Sequence, residues 1–271
     1  MDDRPIGVFD SGLGGLTAVR AMDILLPGES VVYLGDTQRV PYGGRSVSTI
    51  THFALDDLAC LMKYDVKAVV VACGTVSTVA LDAVRKAAGD IPVYGVVEGA
   101  AIKAANVTEN KRIGVIGTVA SVRSGAYERT IKEILPSAEV ISVPCPLFVP
   151  LVEAGRIKPG DPVIETIARE YLEPIRREGV DTLVLGCTHY PHLSQVISGI
   201  MGEKTTLINV GEEAVRRLAS DLKEKRLTGS RISGGSHRYL VSDGSDSFSE
   251  LASFFLQREI CGEVETVSFG A

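Results

Sequence analysis

The chain has 271 residues, 45% of them hydrophobic and 23% charged, so it can bury a large core and is not a disordered protein. A formal charge of −6 and a pI near 5.4 argue against a nucleic-acid-binding protein, which is normally basic. The longest uninterrupted apolar run, at 68–73, is much shorter than the roughly 20 residues that cross a bilayer. We therefore expect neither nucleic-acid binding nor membrane insertion, and one large or two modest α/β lobes.

The five cysteines are odd in number and widely spread along the chain. The first residues, MDDRPIGVFD, do not have the charged and then apolar pattern of an export signal. We therefore expect a cytoplasmic protein whose thiols stay reduced. The cysteines are Cys60, Cys73, Cys145, Cys187 and Cys261.

Short apolar runs alternate with segments of helical spacing along the chain. Such runs are typical of buried parallel strands, and the alternation predicts right-handed βαβ crossovers with helices on both faces of mostly parallel sheets. The runs lie at 6–9, 31–34, 68–72, 113–116, 183–185 and 207–210. Beyond 211 the pattern predicts a helix at 214–226, a strand at 239–242 and a final helix at 247–259.

The first predicted strand ends in Asp10 and Ser11 and is followed by a glycine-rich turn at 12–15. Glycines there permit close backbone approach to a ligand. The turn is neither a dinucleotide fingerprint, whose third glycine would fall on Thr17, nor a P-loop, because Gly-Lys-Ser/Thr is missing. We expect the Asp10 carboxylate to lie beside a substrate ammonium or a thiol that must lose its proton. A helix N-cap is the alternative role for this residue.

Cys73 closes the third predicted strand and precedes a helix. A helix N-terminus stabilises negative charge, which predicts a lowered pKa for the Cys73 thiol. A buried structural cysteine is the alternative. The apolar spacing that follows predicts one amphipathic helix of about four turns, ended by Gly89 and Pro92.

Cys187 repeats this arrangement, with Thr188, His189 and then Pro191 at a predicted helix start. His189 could exchange a proton with the thiol or orient it, although a histidine bonded to backbone is the alternative. We expect His192 on the surface. We do not expect a zinc site around Cys187, because the sequence has no second Cys and His pair with ligand spacing. We do not expect a thiol phosphatase either, because neither cysteine is followed by the arginine that such a loop needs.

The two halves of the chain resemble each other. Residues 6–11 are similar to 113–118, and 69–75 are similar to 183–189. Ligands of parallel sheets lie outside the carboxyl ends of the strands, where all four segments place their polar residues. The sequence therefore predicts two pseudo-equivalent lobes that face each other across a cleft, with one cysteine from each.

Five segments in order resemble the aspartate/glutamate racemase superfamily, and within it the glutamate racemases most closely. They are FDSGLGGLT at 9–17, YLGDTQRVPYG at 33–43, VACGT at 71–75, IGVIGT at 113–118 and LGCTHYP at 185–191. The resemblance extends over nearly the whole chain. It implies an α/β fold of two pseudo-symmetric lobes, for which we place the first lobe at 1–97 plus 208–271 and the second at 98–207.

The resemblance also implies a cofactor-independent reaction in which one cysteine removes the α-proton and the other protonates the opposite face. Asp10 would assist Cys73, and His189 would assist Cys187. No pyridoxal phosphate or metal would be needed, and the product D-glutamate would supply peptidoglycan. A homodimer is left open. The residues implied to contact the substrate are Asp10, Ser11, Tyr42, Gly43, Gly74, Thr75, Thr118, Thr188 and His189.

Two positions depart from the family pattern. Gly74 stands where asparagine is usual, and Gly99 stands where proline is expected. Loss of an amide contact at Gly74 would cost about 1.5 to 3 kcal/mol, or roughly ten- to a hundredfold in rate. Two alternatives stay open, an aspartate or hydantoin racemase and a catalytically impaired small-molecule binding protein.

Overall fold

The computed structural model describes residues 1–244 and 248–269, which form two parallel β-sheets flanked by helices. Of the helices in these residues, none is both long and apolar enough to span a membrane. The first sheet contains β1 (Ile6–Asp10), β2 (Val31–Gly35), β3 (Ala68–Val71), β4 (Val93–Gly95), β9 (His237–Val241) and β10 (Glu263–Thr266). The second contains β5 (Arg112–Gly117), β6 (Glu139–Pro144), β7 (Thr182–Leu185) and β8 (Thr206–Asn209).

The strand order of the second sheet repeats that of four neighbouring strands of the first, β2-β1-β3-β4. The first sheet runs β10-β9-β2-β1-β3-β4, and the second runs β6-β5-β7-β8. All pairs are parallel, with β1 and β5 in equivalent central places and β3 and β7 beside them. Cys73 follows β3 and Cys187 follows β7, so the cysteines occupy equivalent places in the two sheets.

Twelve α-helices lie in the described residues. They are α1 (Leu16–Leu25), α2 (Val47–Met62), α3 (Gly74–Val79), α4 (Leu81–Ala88), α5 (Val96–Val107), α6 (Val119–Ser124), α7 (Ala126–Ile134), α8 (Phe148–Glu153), α9 (Pro162–Arg177), α10 (Ser194–Met201), α11 (Val210–Glu224) and α12 (Phe248–Leu256). A 3₁₀ helix at Tyr190–Leu193 precedes α10, and Pro191 lies in its first turn.

Apolar burial joins the two sheets through helices. The central strands β1, β2, β3 and β7 are buried along their whole length, as expected for parallel strands covered on both faces. Helix α5 packs against α11 and α7, and α11 packs against α1. One large apolar core therefore contains residues of both sheets, while a second core lies on the other face of the first sheet.

The predicted single helix after Cys73 is wrong, because the chain forms α3 and α4 with a break at Ala80. Ala80 has φ −132° and ψ 0°, outside the helical region. The segment before it, 75–79, contains four β-branched residues, which disfavour helix. The end of α12 at Leu256 precedes the predicted end, and the predicted start at Ser247 lies outside the described residues.

Strands β4, β6 and β10 have no counterpart in the sequence prediction. β4 has three residues, β6 is half-buried and β10 is wholly exposed, so none forms a continuous apolar run of useful length.

The division of the chain into lobes at 97 and 207 stays a prediction. The first boundary falls within α5, and the second falls within β8, which pairs with β7 of the second sheet.

Candidate active site

A cavity of about 400 Å³ lies at the carboxyl ends of strands from both sheets. Cys73 and Cys187 line it, as does Cys145, so the two thiols predicted from the sequence face one shared space. Asp10 is not among the lining residues, although Ser11, which directly follows it in the chain, is. The other predicted residues that line the cavity are Ser11, Tyr42, Gly43, Gly74, Thr75, Thr118, Thr188 and His189.

Cys73 is the N-cap of α3, and its side chain is 4% exposed. Its thiol donates to Ser11 Oγ at 3.4 Å, and its sulfur accepts from the Val76 N–H at 3.5 Å. Burial, followed by the negative charge of Asp10, raises the pKa of Cys73 to about 12 despite these two bonds. The predicted lowering of this pKa is therefore wrong, because burial outweighs the helix end. Cys73 holds its proton at neutral pH in this structure.

Asp10 ends β1 and is 1% exposed. Its Oδ2 accepts from the Gly12 N–H at 3.1 Å, and its Oδ1 has no hydrogen-bond partner in the described part of the chain. Burial raises the pKa of Asp10, while the charge of His189 and three backbone N–H groups oppose the shift. The N-cap of α1 is Gly15, so the alternative role of Asp10 as a helix cap is wrong. A buried, half-satisfied carboxyl can receive a proton or an ammonium group.

His189 lies between Cys187 and a carboxylate. Its Nδ1 is 3.9 Å from Cys187 Sγ, and its Nε2 is 3.1 Å from Glu153 Oε1. Burial disfavours the charged ring, but hydrogen bonds to Cys187 and Glu153 raise the pKa of His189 to about 10. Its ring partners are side chains, so the alternative of a ring bonded to backbone is not what the structure has. His189 is a cation at neutral pH.

Glu153 is a residue that sequence reasoning missed. It is the last residue of α8, half-exposed, and lines the cavity. It lies 36 positions before His189. No motif surrounds it, so only folding brings it to the histidine. The sequence shows only that Glu153 is one of many carboxylates in the second half of the chain, which does not single it out.

Hydroxyl groups meet across the cleft. Thr75 Oγ1 and Thr118 Oγ1 lie 3.0 Å apart, one from each sheet's side of the cavity. Thr118 is also the N-cap of α6 and accepts from the Ser121 N–H at 3.2 Å. Thr188 Oγ1 is 3.4 Å from His189 Nδ1. These hydroxyls can donate to carboxylates of a small ligand, and none of the residues lining the cavity is arginine or lysine.

Tyr42 forms a wall of the cavity with its hydroxyl turned to the protein interior. The hydroxyl lies against Asp36 and is 3.2 Å from Asp57 Oδ2, and both carboxylates are buried. Arg39 forms ion pairs with Asp36 and Asp57. Burial, followed by the charge of Asp36, raises the pKa of Asp57 well above its usual value. The hydroxyl of Tyr42 therefore anchors the loop before α2.

The surface position predicted for His192 is wrong. Its ring is half-buried and stacks on Phe254 of α12, with centroids 4.8 Å apart, while Phe255 packs edge-on at 4.9 Å. Burial, followed by the charge of His189, lowers the pKa of His192 to about 4. His192 is therefore neutral and serves as a packing surface.

Comparison with known proteins places the fold and cavity in a family. The family model described as Asp/Glu/Hydantoin racemase matches residues 17–218. The chain belongs to the Asp/Glu/hydantoin racemase family. A glutamate racemase from Geobacter metallireducens is 44% identical over 268 residues, covering 99% of this chain and 98% of that protein. One from Chlorobaculum tepidum is also 44% identical, covering 95% of this chain and 94% of that protein.

A solved glutamate racemase structure shares the whole architecture. Glutamate racemase from Francisella tularensis, in complex with D-glutamate, has a TM-score of 0.91 and 38% identity, covering 99% of each chain. Membership and the α/β fold of two mostly parallel sheets, both implied by the sequence resemblance, are confirmed.

Proposed function

We propose that this protein interconverts L-glutamate and D-glutamate without a cofactor, using Cys73 and Cys187 as the two proton-transfer groups. The observation that carries the proposal is that thiols from equivalent strand ends of the two sheets line one cavity. Inversion at one carbon needs a base on one face and an acid on the other, and a pair of opposed thiols supplies both. The names of the relatives support glutamate as the substrate.

The charges around the two thiols differ and support a division of roles. His189 is a cation beside Cys187, and a positive neighbour stabilises negative charge on sulfur. Cys73 retains its proton, so it is the acid in the direction that begins with Cys187 as base. The Cα–H bond breaks, its electrons stay on the substrate, and the proton passes to Cys187. Cys73 then gives its proton to the opposite face, and the roles reverse for the other enantiomer.

The polar groups around the cavity fit an amino dicarboxylate. The hydroxyls of Ser11, Thr75, Thr118 and Thr188 line the cavity and would hold the carboxylates. Asp10, the buried carboxylate next to Ser11 in the chain, would attract the ammonium group by its charge. Between turnovers in this direction Cys73 would regain a proton with the help of Asp10, and Cys187 would lose the proton that it gained, with His189 beside it. A water-poor cleft protects the carbanion-like species from solvent.

The biological setting follows from the same proposal. D-Glutamate would supply peptidoglycan synthesis and so cell-wall biogenesis and cell shape, in the cytoplasm. The choice between a monomer and a homodimer stays open, and sedimentation would decide it.

Replacement of either thiol tests the proposal. We expect Cys73→Ser and Cys187→Ser each to lower racemisation of L- and D-glutamate by about 100- to 10,000-fold, because one face loses its proton-transfer group. Cys261→Ser, at an exposed thiol outside the cavity, is the matched control and should leave the rate unchanged. Circular dichroism would check the fold, and chiral chromatography would measure both enantiomers.

Three results would contradict the proposal. Near-normal racemisation by either cavity variant would exclude the two-thiol mechanism. Faster turnover of aspartate than of glutamate would favour an aspartate racemase. Binding of glutamate by the wild type without any conversion would favour a binding protein of this family.

A further inference from the structure

Arg39, in the loop between β2 and α2, contacts two aromatic rings from distant parts of the chain. Its Cζ atom is 4.3 Å from the ring centroid of Phe53, a residue of α2, and 3.8 Å from that of Phe269, which lies in the segment after β10. A guanidinium within about 6 Å of a ring face is attracted by the negative face of the ring. Arg39 therefore joins the C-terminal segment to α2.

Arg39 is also the cation shared by the carboxylates that fix this loop. Its guanidinium pairs with Asp36 and lies 2.6 Å from Asp56 Oδ2 and 3.1 Å from Asp57 Oδ1. The side chains of Asp36 and Asp57 are fully buried, and both contact the hydroxyl of Tyr42. A guanidinium that turned away would leave buried carboxylates without their cation, which is strongly unfavourable. The orientation of Arg39 therefore determines where Tyr42 lies.

The same loop forms one wall of the cavity and reaches the second sheet. Its residues 40–44 all line the cavity. The Gly43 carbonyl accepts a hydrogen bond at 3.3 Å from the N–H of Ala120, a residue of α6, which follows β5 of the second sheet. The loop therefore links the first sheet to α6 beside the cavity.

The C-terminal segment that carries Phe269 is itself anchored. The Val267 N–H donates to the carbonyl of Val241, the last residue of β9, at 2.8 Å. Val267 and Phe269 are half-buried and pack against the apolar core on the outer face of the first sheet. A segment fixed in this way can hold the ring of Phe269 against Arg39.

We infer that Phe269 is a positioning residue whose ring holds Arg39 and, through Arg39, keeps the cavity wall at 40–44 against α6. Phe269 is not among the residues that line the cavity, so it acts through the loop. The loop would touch the substrate but carries neither thiol. Loss of the ring should therefore weaken substrate binding and leave proton transfer nearly unchanged. This kinetic consequence rests on the proposed function.

The experiment compares Phe269→Leu, Phe269→Tyr and Ser268→Ala with the wild type in the racemisation of D-glutamate. Leucine keeps an apolar side chain without a ring, whereas tyrosine keeps the ring. Ser268 is the exposed neighbour and the matched control. We expect Phe269→Leu to raise KM about two- to fivefold with little change in kcat, because one of the two rings on Arg39 is lost. Phe269→Tyr and Ser268→Ala should match the wild type.

The separation of KM from kcat distinguishes positioning from a general loss of folded protein. A smaller folded fraction lowers the apparent kcat and leaves KM unchanged, which is the opposite result. A wild-type KM in Phe269→Leu would overturn the inference. A rise of KM in Phe269→Tyr as large as that in Phe269→Leu would also overturn it, because the ring would then not be the cause.

Amide hydrogen exchange tests the inference without substrate. The Ala120 N–H is bonded to the Gly43 carbonyl, so its exchange reports how often the loop leaves α6. We expect this amide to exchange about two- to fivefold faster in Phe269→Leu and at the wild-type rate in Ser268→Ala. An unchanged rate in Phe269→Leu would overturn the inference. Wild-type protein that does not racemise glutamate would instead contradict the proposed function.

A crystal structure of the wild type decides the question if Phe269→Leu does not fold. We expect the ring of Phe269 over the guanidinium of Arg39 and the Gly43 carbonyl bonded to the Ala120 N–H. A ring of Phe269 that lies elsewhere would overturn the inference.

Discussion

At the residue scale, Glu153 holds His189 in its charged form. We expect Glu153→Gln to keep a hydrogen bond to Nε2 but to lower the pKa of His189 below about 10, because the ring loses a negative neighbour. The cation would then be lost at lower pH, so the alkaline limit of activity should move downward. Since Glu153 is half-exposed, the effect is moderated by solvent, and kcat at neutral pH should fall only about three- to tenfold.

The measurement is a profile of kcat against pH for the wild type and Glu153→Gln. Glu165→Gln, at a partly buried position of α9 outside the cavity, is a control of the same chemistry. An alkaline limit that stays in place in Glu153→Gln would show that His189 does not need this partner.

Some residues of the candidate site could be predicted from the sequence and others could not. Cys73, Cys187 and His189 could be predicted, because each follows an apolar strand in a recognisable order. Glu153 could not, since its contact with His189 exists only after folding. The raised pKa of Cys73 could not be predicted either, because the burial of its thiol and its distance from Asp10 are known only once the cleft is assembled. The roles of these residues stay predictions.

At the element scale, the loop between β2 and α2 is fixed by a buried charge cluster. Asp36 and Asp57 share Arg39 and the hydroxyl of Tyr42, and Ser242 of the segment after β9 donates to Asp36 at 2.7 Å. Arg39 also stacks on Phe53 of α2, 4.3 Å from the ring centroid. The cluster places the cavity wall at Tyr42.

Asp57→Asn tests this cluster through pH. The folded-state pKa of Asp57 is raised, so the folded protein keeps a proton that the unfolded chain releases above pH 4, roughly. The free energy of unfolding of the wild type therefore decreases as the pH rises from the pKa of Asp57 in the unfolded chain toward its pKa in the folded protein. Asp57→Asn has no such loss, so its free energy of unfolding relative to the wild type should increase between pH 5 and pH 8, approximately.

Urea unfolding at several pH values would measure the difference, with Asp90→Asn, at an exposed position away from this cluster, as the control. A relative stability of Asp57→Asn that decreases with rising pH would contradict the shift in pKa. The segment at 33–43 belongs to the sequence resemblance, but its anchoring could not be predicted, because Asp57 lies on α2 and Ser242 is 206 positions from Asp36.

Elements themselves were predictable where their apolar pattern was strong. The buried strands β1, β2, β3, β5 and β7 appear in the sequence as apolar runs. The break at Ala80 was not predicted, because helical spacing continues across it, and the β-branched residues before it were given no weight. The exposed edge strand β10 gave no signal, since it is held by pairing with β9 rather than by burial.

At the scale of the whole molecule, two sheets of equivalent strand order place equivalent chain segments on either side of one cavity. Such an arrangement gives a chiral carbon a similar partner on each face, which is what interconversion of mirror-image substrates requires. This architecture could be predicted from the internal similarity of the sequence, which relates 6–11 to 113–118 and 69–75 to 183–189. The separation of the lobes could not be predicted, because it depends on contacts such as that of Gly43 with Ala120.

The central claim is that two thiols approach one stereocentre from opposite faces. A crystal structure of the protein with D-glutamate bound in the cavity tests it most directly. We expect the sulfurs of Cys73 and Cys187 on opposite sides of the substrate Cα, each about 3.5 Å from it. Both sulfurs on the same side, or one of them out of reach of Cα, would contradict the account.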